Sequence, residues 1–179
     1  MAYVSLIRSS LEYGATVWDP YHVGDINKIE RIQRQAARFI KRDYRSHEAG
    51  CVSEMLRELK LPPLEERRKQ QRLTTMYKIV NEEIPALPPE KFLTKANKEK
   101  RKIKPRMFEG FETKNIVKKY AYNNTKGFLV PDSRTEQYKS SFFVRTVAEW
   151  NELEEEVVQA NSAAAFSAAL SRRAARTLP

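Results

Sequence analysis

Asp25-Ile26-Asn27-Lys28-Ile29-Glu30-Arg31-Ile32-Gln33-Arg34-Gln35-Ala36-Ala37-Arg38-Phe39-Ile40-Lys41-Arg42-Asp43-Tyr44-Arg45 is the stretch whose periodicity decides the fold. Ile26, Ile29, Ile32, Ala36, Phe39 and Ile40 recur at spacings of three and four, the period of a helix and not the alternation of a strand. The spacing predicts an amphipathic helix, capped by Asp25, with this apolar stripe turned inward. The other face is a ladder of Arg31, Arg34, Arg38, Lys41 and Arg45, flanked by Lys28 and Arg42. A solvated helix face normally mixes signs, because acid–base pairs one turn apart help by about 0.2–0.5 kcal/mol and like charges cost as much. Within 26–45 only Glu30 and Asp43 are acidic. An arginine-rich stripe suits phosphates along a strand, since a guanidinium can hold two oxygens at once. The rival partner is the acidic run Glu152, Glu154, Glu155 and Glu156 of the same chain; phosphate is preferred.

Outward from this helix the pattern stays helical. Tyr3, Leu6, Ile7 and Leu11 share one side of a segment over 2–12. The cluster Tyr13, Val17, Trp18 and Tyr21 follows, broken by Gly14 and Asp19-Pro20. These rings could stack on bases, but with Arg8 the one basic residue nearby they are read as core anchors under a helix corner. A short helix carries Val52, Met55, Leu56 and Leu59 and closes at Leu61-Pro62-Pro63. The next, opening on Glu65 and Glu66 and running to about Glu83, turns Leu64, Leu73, Met76, Tyr77 and Val80 inward and Arg67, Arg68, Lys69 and Arg72 outward. Ile84-Pro85 through Pro88-Pro89 reads as an extended linker. It opens a lysine-rich stretch over 91–106, with Lys98, Lys100, Arg101, Lys102, Lys104 and Arg106 close together and no regular apolar period. Partial disorder, or folding on a polyanion, is expected there. A nuclear-localisation signal would use the same residues. Phe111–Thr113, Tyr120–Tyr122 and Phe128–Val130 suggest a small β-hairpin within 111–131. From Ser140 a helix carries Phe142, Phe143, Val147, Trp150 and Leu153. Ser162 caps a final one with Phe166 and Leu170 inward, and Arg172, Arg173 and Arg176 complement its dipole. The fold class is therefore all-α: a bundle of about five or six helices, organised as 1–83, a basic irregular insertion over 84–131, and 132–179 packing back on the first.

The chain has 179 residues and a net charge of +10. Residues 26–45 hold seven basic against two acidic groups and residues 91–119 hold eleven against three, so two segments supply more than the whole excess. Charge concentrated in this way favours a polyanion partner over solvation. Acidic protein or an anionic surface is the alternative. The single Cys51 permits no internal disulfide and suits a reducing compartment, and Met1 is not followed by a signal sequence. An intracellular protein is expected, in nucleus or cytoplasm, with no membrane partner.

Catalytic constellations are missing from the pattern. The four aspartates, Asp19, Asp25, Asp43 and Asp132, include no near-adjacent pair for two metals. His22, His47 and Cys51 lack the number and spacing of a zinc site, and no glycine-rich phosphate loop occurs. Neither cofactor nor metal is expected, and the chain is not read as an enzyme on its own.

The order of the pieces is familiar. Leu6-Ile7-Arg8-Ser9-Ser10-Leu11-Glu12-Tyr13-Gly14-Ala15 followed by Val17-Trp18-Asp19-Pro20-Tyr21 resembles a signature of LINE-type, jockey-like non-LTR retrotransposon polyproteins. Ile29 to Ile40, Leu56-Arg57-Glu58-Leu59, Leu64-Glu65-Glu66-Arg67-Arg68 and Met76-Tyr77-Lys78-Ile79-Val80 resemble the blocks that follow it. Arg134-Thr135, Tyr138, Ser141 to Thr146 and Trp150-Asn151-x-Leu153 resemble the closing block, although Glu154 stands where that family usually has proline. The likeness spans roughly 1–82 and 132–170. It implies the thumb and post-thumb region of a reverse transcriptase, with palm aspartates and endonuclease upstream and Met1 a start inside a longer element. It further implies RNA or RNA–DNA hybrid as partner, beside the rest of the parent polyprotein. A helical module docking acidic proteins and a non-functional remnant of such an element are the alternatives.

Overall fold

The computed structural model describes residues 2–96 and 123–177. Within them a wide π-helical turn, Tyr3–Arg8, runs into ten α-helices: α1 (Ser9–Glu12), α2 (Ala15–Trp18), α3 (Val23–Lys41), α4 (Cys51–Glu58), α5 (Leu64–Val80), α6 (Pro89–Phe92), α7 (Glu136–Lys139), α8 (Phe142–Asn151), α9 (Glu155–Val158) and α10 (Ala163–Thr177). Five of the ten have eight or more residues, so the all-α reading holds. Among the described residues extended chain pairs only at the antiparallel bridge of Lys95 with Phe128. Of the hairpin read over 111–131, Phe111–Thr113 and Tyr120–Tyr122 lie outside the described residues, and Phe128 pairs with Lys95. No helix among the described residues is long and apolar enough to cross a membrane.

The chain divides into two compact units with the boundary between Arg72 and Leu73, inside α5. The N-terminal unit has a markedly polar interior. Gln33 is fully buried on α3, accepting from the Tyr3 hydroxyl at 3.0 Å and donating to the Pro62 carbonyl at 2.9 Å. Glu30, one turn earlier, accepts from the Glu65 N–H at 2.8 Å and so supplies from another helix the N-terminal cap of α5. Arg67 grips Glu12 through two nitrogens. Arg68 and Arg72, 1% and 2% exposed, converge on the buried carboxylate of Asp19.

Four sequence readings change here. Arg68 and Arg72 are not outward, because Asp19 is drawn in as their counter-charge. The apolar stripe of α3 is not the inward face. Glu30, Gln33 and Ala37 are buried, while Ile32, Phe39 and Ile40 are exposed. The partners of Glu30 and Gln33 set the rotation of the helix, and Ala37 permits close approach. Nor are Tyr13, Val17 and Trp18 core anchors. Tyr13 and Val17 are 85% and 90% exposed and Trp18 is exposed as well. Gly14 (φ +63°) reverses the chain and the Trp18 indole N–H bonds back to the Tyr13 carbonyl at 2.7 Å, which leaves the carboxylate of Asp19, and not the rings, pointing inward. Asp25 also lies inside the first turn of α3, paired with Lys28, and does not cap it.

The C-terminal unit is built the ordinary way. Leu73, Met76, Tyr77 and Ile79 from α5 pack with Val147, Trp150, Leu153, Val157, Val158, Phe166 and Leu170 in one apolar core. Ser162 caps α10 through the Ala165 N–H, as its position predicts. Ile84 and Leu87 pack against this core on a turn leading to α6, so the expected extended linker is instead folded. Asn151 clasps both backbone groups of Phe128, at 3.0 and 2.8 Å, and the Trp150 indole donates to the Lys126 carbonyl at 2.9 Å. Ala96 and Leu129 N–H groups bond to Gly127 and Thr94, so the chain on either side of residues 97–122 is tied together.

Candidate nucleic-acid interface

The basic ladder does not act as one set. Arg38 is half-buried and donates to the Asp43 carbonyl at 3.2 Å, the Ser46 carbonyl at 2.8 Å and the Cys51 sulfur at 3.6 Å. Its guanidinium braces the loop that follows α3. Lys41 pairs with Glu58 and Lys28 with Asp25 at 2.8 Å; both carboxyls are held below their usual range, chiefly by the hydrogen bond from the lysine. Arg31, Arg34, Arg42 and Arg45 are exposed, and no ion pair engages them among the described residues. Lys98, Lys100, Arg101, Lys102, Lys104 and Arg106 lie outside the described residues.

The loop 42–46 is held from both sides. Asp43 accepts from the Ser46 hydroxyl and from the N–H groups of Arg45 and Ser46 at 3.1 and 3.0 Å. These bonds, the hydroxyl's foremost, hold its carboxyl below the ordinary value, so it stays ionised. Arg42 ends α3 in the left-handed conformation (φ +53°), and the Asp43 N–H returns to the Arg38 carbonyl at 3.1 Å. The outcome is a pinned loop that leaves Arg42, Tyr44 and Arg45 exposed, directly after the last turn of α3, in which Phe39 is also exposed.

Phe39 and Tyr44 had no place in the sequence-predicted site. The available signal was the interleaving of aromatic and basic residues over 38–45. Among the described residues no group of three His, Cys, Asp or Glu side chains could hold a metal ion. Comparison with family models, with curated proteins and with solved structures gave no match to this chain.

Proposed function

We propose that this chain is a non-catalytic, C-terminal part of a non-LTR retrotransposon reverse transcriptase that holds RNA or RNA–DNA hybrid by its phosphates. The observation that carries the binding is the exposed set Arg31, Arg34, Arg42 and Arg45, without carboxylate partners among the described residues and with the loop bearing two of them pre-ordered. Pre-ordering lowers the entropy lost when the cations meet a backbone. The polymerase parentage rests on the resemblance. Residues that carry it also brace each unit from within, Asp19 with Arg68 and Glu12 with Arg67 in the first, and Trp150 and Asn151 with the 126–128 segment in the second.

The test is fluorescence anisotropy of the full chain on RNA–DNA hybrid across salt. If these four cations displace counterions, affinity falls by about two decades between 50 and 200 mM salt, and more if the 98–106 cluster joins them. Arg31→Glu with Arg34→Glu is expected to weaken binding at least about tenfold and to flatten the slope. An affinity indifferent to salt sinks the proposal.

A second reading, a helical module that docks on protein, is favoured by Leu6, Tyr13, Val17 and Val23, all strongly exposed in the N-terminal unit. The rest of the parent polyprotein is the partner it would take. Substitution of Val17 by Ser that abolishes such an association while sparing hybrid binding separates the two.

A further inference from the structure

We infer that the end of α3 and its pinned loop select unpaired bases, so that the ligand of this face is single-stranded nucleic acid stacked on Phe39 and Tyr44. This deepens the phosphate-binding reading and rests on it. Phe39 is 72% and Tyr44 59% exposed. In the sequence both rings are interleaved with the uncompensated cations: Tyr44 falls between Arg42 and Arg45, and Phe39 stands three residues before Arg42. An exposed ring in water gains nothing by itself, whereas a ring beside guanidinium groups meets the two chemistries of a single strand together. Phosphates go to the arginines and base faces to the rings. A duplex presents its phosphates but keeps its bases stacked on one another, so it would leave both rings unused.

Loop geometry favours the same ligand over an acidic protein. Arg38 and Asp43 fix the backbone around Tyr44 from within, and its ring meets no other ring among the described residues. A rigid two-torsion aromatic loses little entropy on stacking, and every base offers a face. Carboxylates of a protein partner would satisfy the arginines without using either ring's face.

The experiment compares three probes on the full chain at one low salt concentration: oligothymidylate, an abasic strand with the same number of phosphates, and RNA–DNA hybrid. Wild type is expected to bind oligothymidylate about tenfold or more tightly than the abasic strand. Phe39→Leu with Tyr44→Leu keeps apolar bulk at both exposed positions and should lower oligothymidylate affinity to the abasic level. Binding of the abasic strand and the hybrid should not change. Equal affinity of wild type for both strands, or a double variant that keeps the preference, overturns the inference while phosphate binding stands. Polyglutamate competing as well as oligothymidylate also overturns it, in favour of an acidic protein partner. Loss of binding to all three probes would remove the phosphate reading as well.

Discussion

Tyr3 shows how much a single buried polar group contributes in the N-terminal unit. Its hydroxyl donates to Gln33, and burial, opposed by the nearby Arg8 and aided by Glu30, pushes its pKa from 10.0 up to about 12. An unfolded tyrosine releases its proton near pH 10.0 while the folded one keeps it to about 12, so between these values the native state holds more protons. Stability is then fully present below the lower value and falls as pH rises through the window, by roughly 2–3 kcal/mol. Alkaline denaturation followed by circular dichroism checks this, and Tyr3→Phe should be less stable at neutral pH yet lose that part of the slope. An unchanged slope would remove Tyr3 as its source. Arg38 makes the complementary case among the cations. Arg38→Met keeps the apolar stem but orphans the Asp43 and Ser46 carbonyls, so the thermal midpoint should drop by the equivalent of about 2 kcal/mol. Arg31→Met, which orphans nothing, should leave it in place. Sequence spacing put both residues on one ladder, because charge and periodicity carry no information about which guanidinium finds a backbone carbonyl.

Among the elements, helices were legible and their rotations were not. α4, α5, α8 and α10 lie where Met55, Leu73, Trp150 and Phe166 place them, since apolar period and proline or serine boundaries are local properties. The inward face of α3 is a long-range property, set by Tyr3, Pro62 and Glu65 acting on Gln33 and Glu30 across some thirty positions. The same limit hid the site. Phe39 was assigned to the core by its period, and only its exposure brings it onto the proposed binding face. The helix ends, by contrast, carry strain that can be relieved. Arg42, Lys60 and Glu82 close α3, α4 and α5 with positive φ, where a Cβ costs about 1 kcal/mol. At Lys60 (φ +54°) the Leu61 N–H bonds back to Leu56 at 2.9 Å, so the motif is fully formed with an unsuited residue. Lys60→Gly should therefore stabilise the chain by about 0.5–1 kcal/mol in urea titration, and a destabilised variant would contradict the assignment. Arg42→Gly at the equivalent place should stabilise too, but with weaker polyanion binding.

At the scale of the whole molecule two interiors of different chemistry share one chain. The net charge and the two basic segments were readable from composition, but not that one unit would be held by ion pairs and amides while the other is held by packed rings. Asp19 is the test of the first interior and Phe166 of the second. Asp19→Asn leaves Arg68 and Arg72 buried without their carboxylate charge, a loss of about 3–5 kcal/mol. Phe166→Ala removes a ring stacked on Tyr77 at 4.6 Å and on Trp150 at 5.7 Å, a loss of similar size through the cavity it leaves. Trp18→Phe makes the fully buried Trp150 the sole tryptophan, so its emission follows the C-terminal unit alone. In that background Phe166→Ala should shift the Trp150 transition to much lower denaturant. Asp19→Asn should leave that transition nearly in place while helix content falls at lower denaturant, because Arg68 and Arg72, the cations it pairs with, both lie before Leu73. If Asp19→Asn moves the Trp150 transition as far as Phe166→Ala does, α5 transmits the damage and the chain unfolds as one cooperative body.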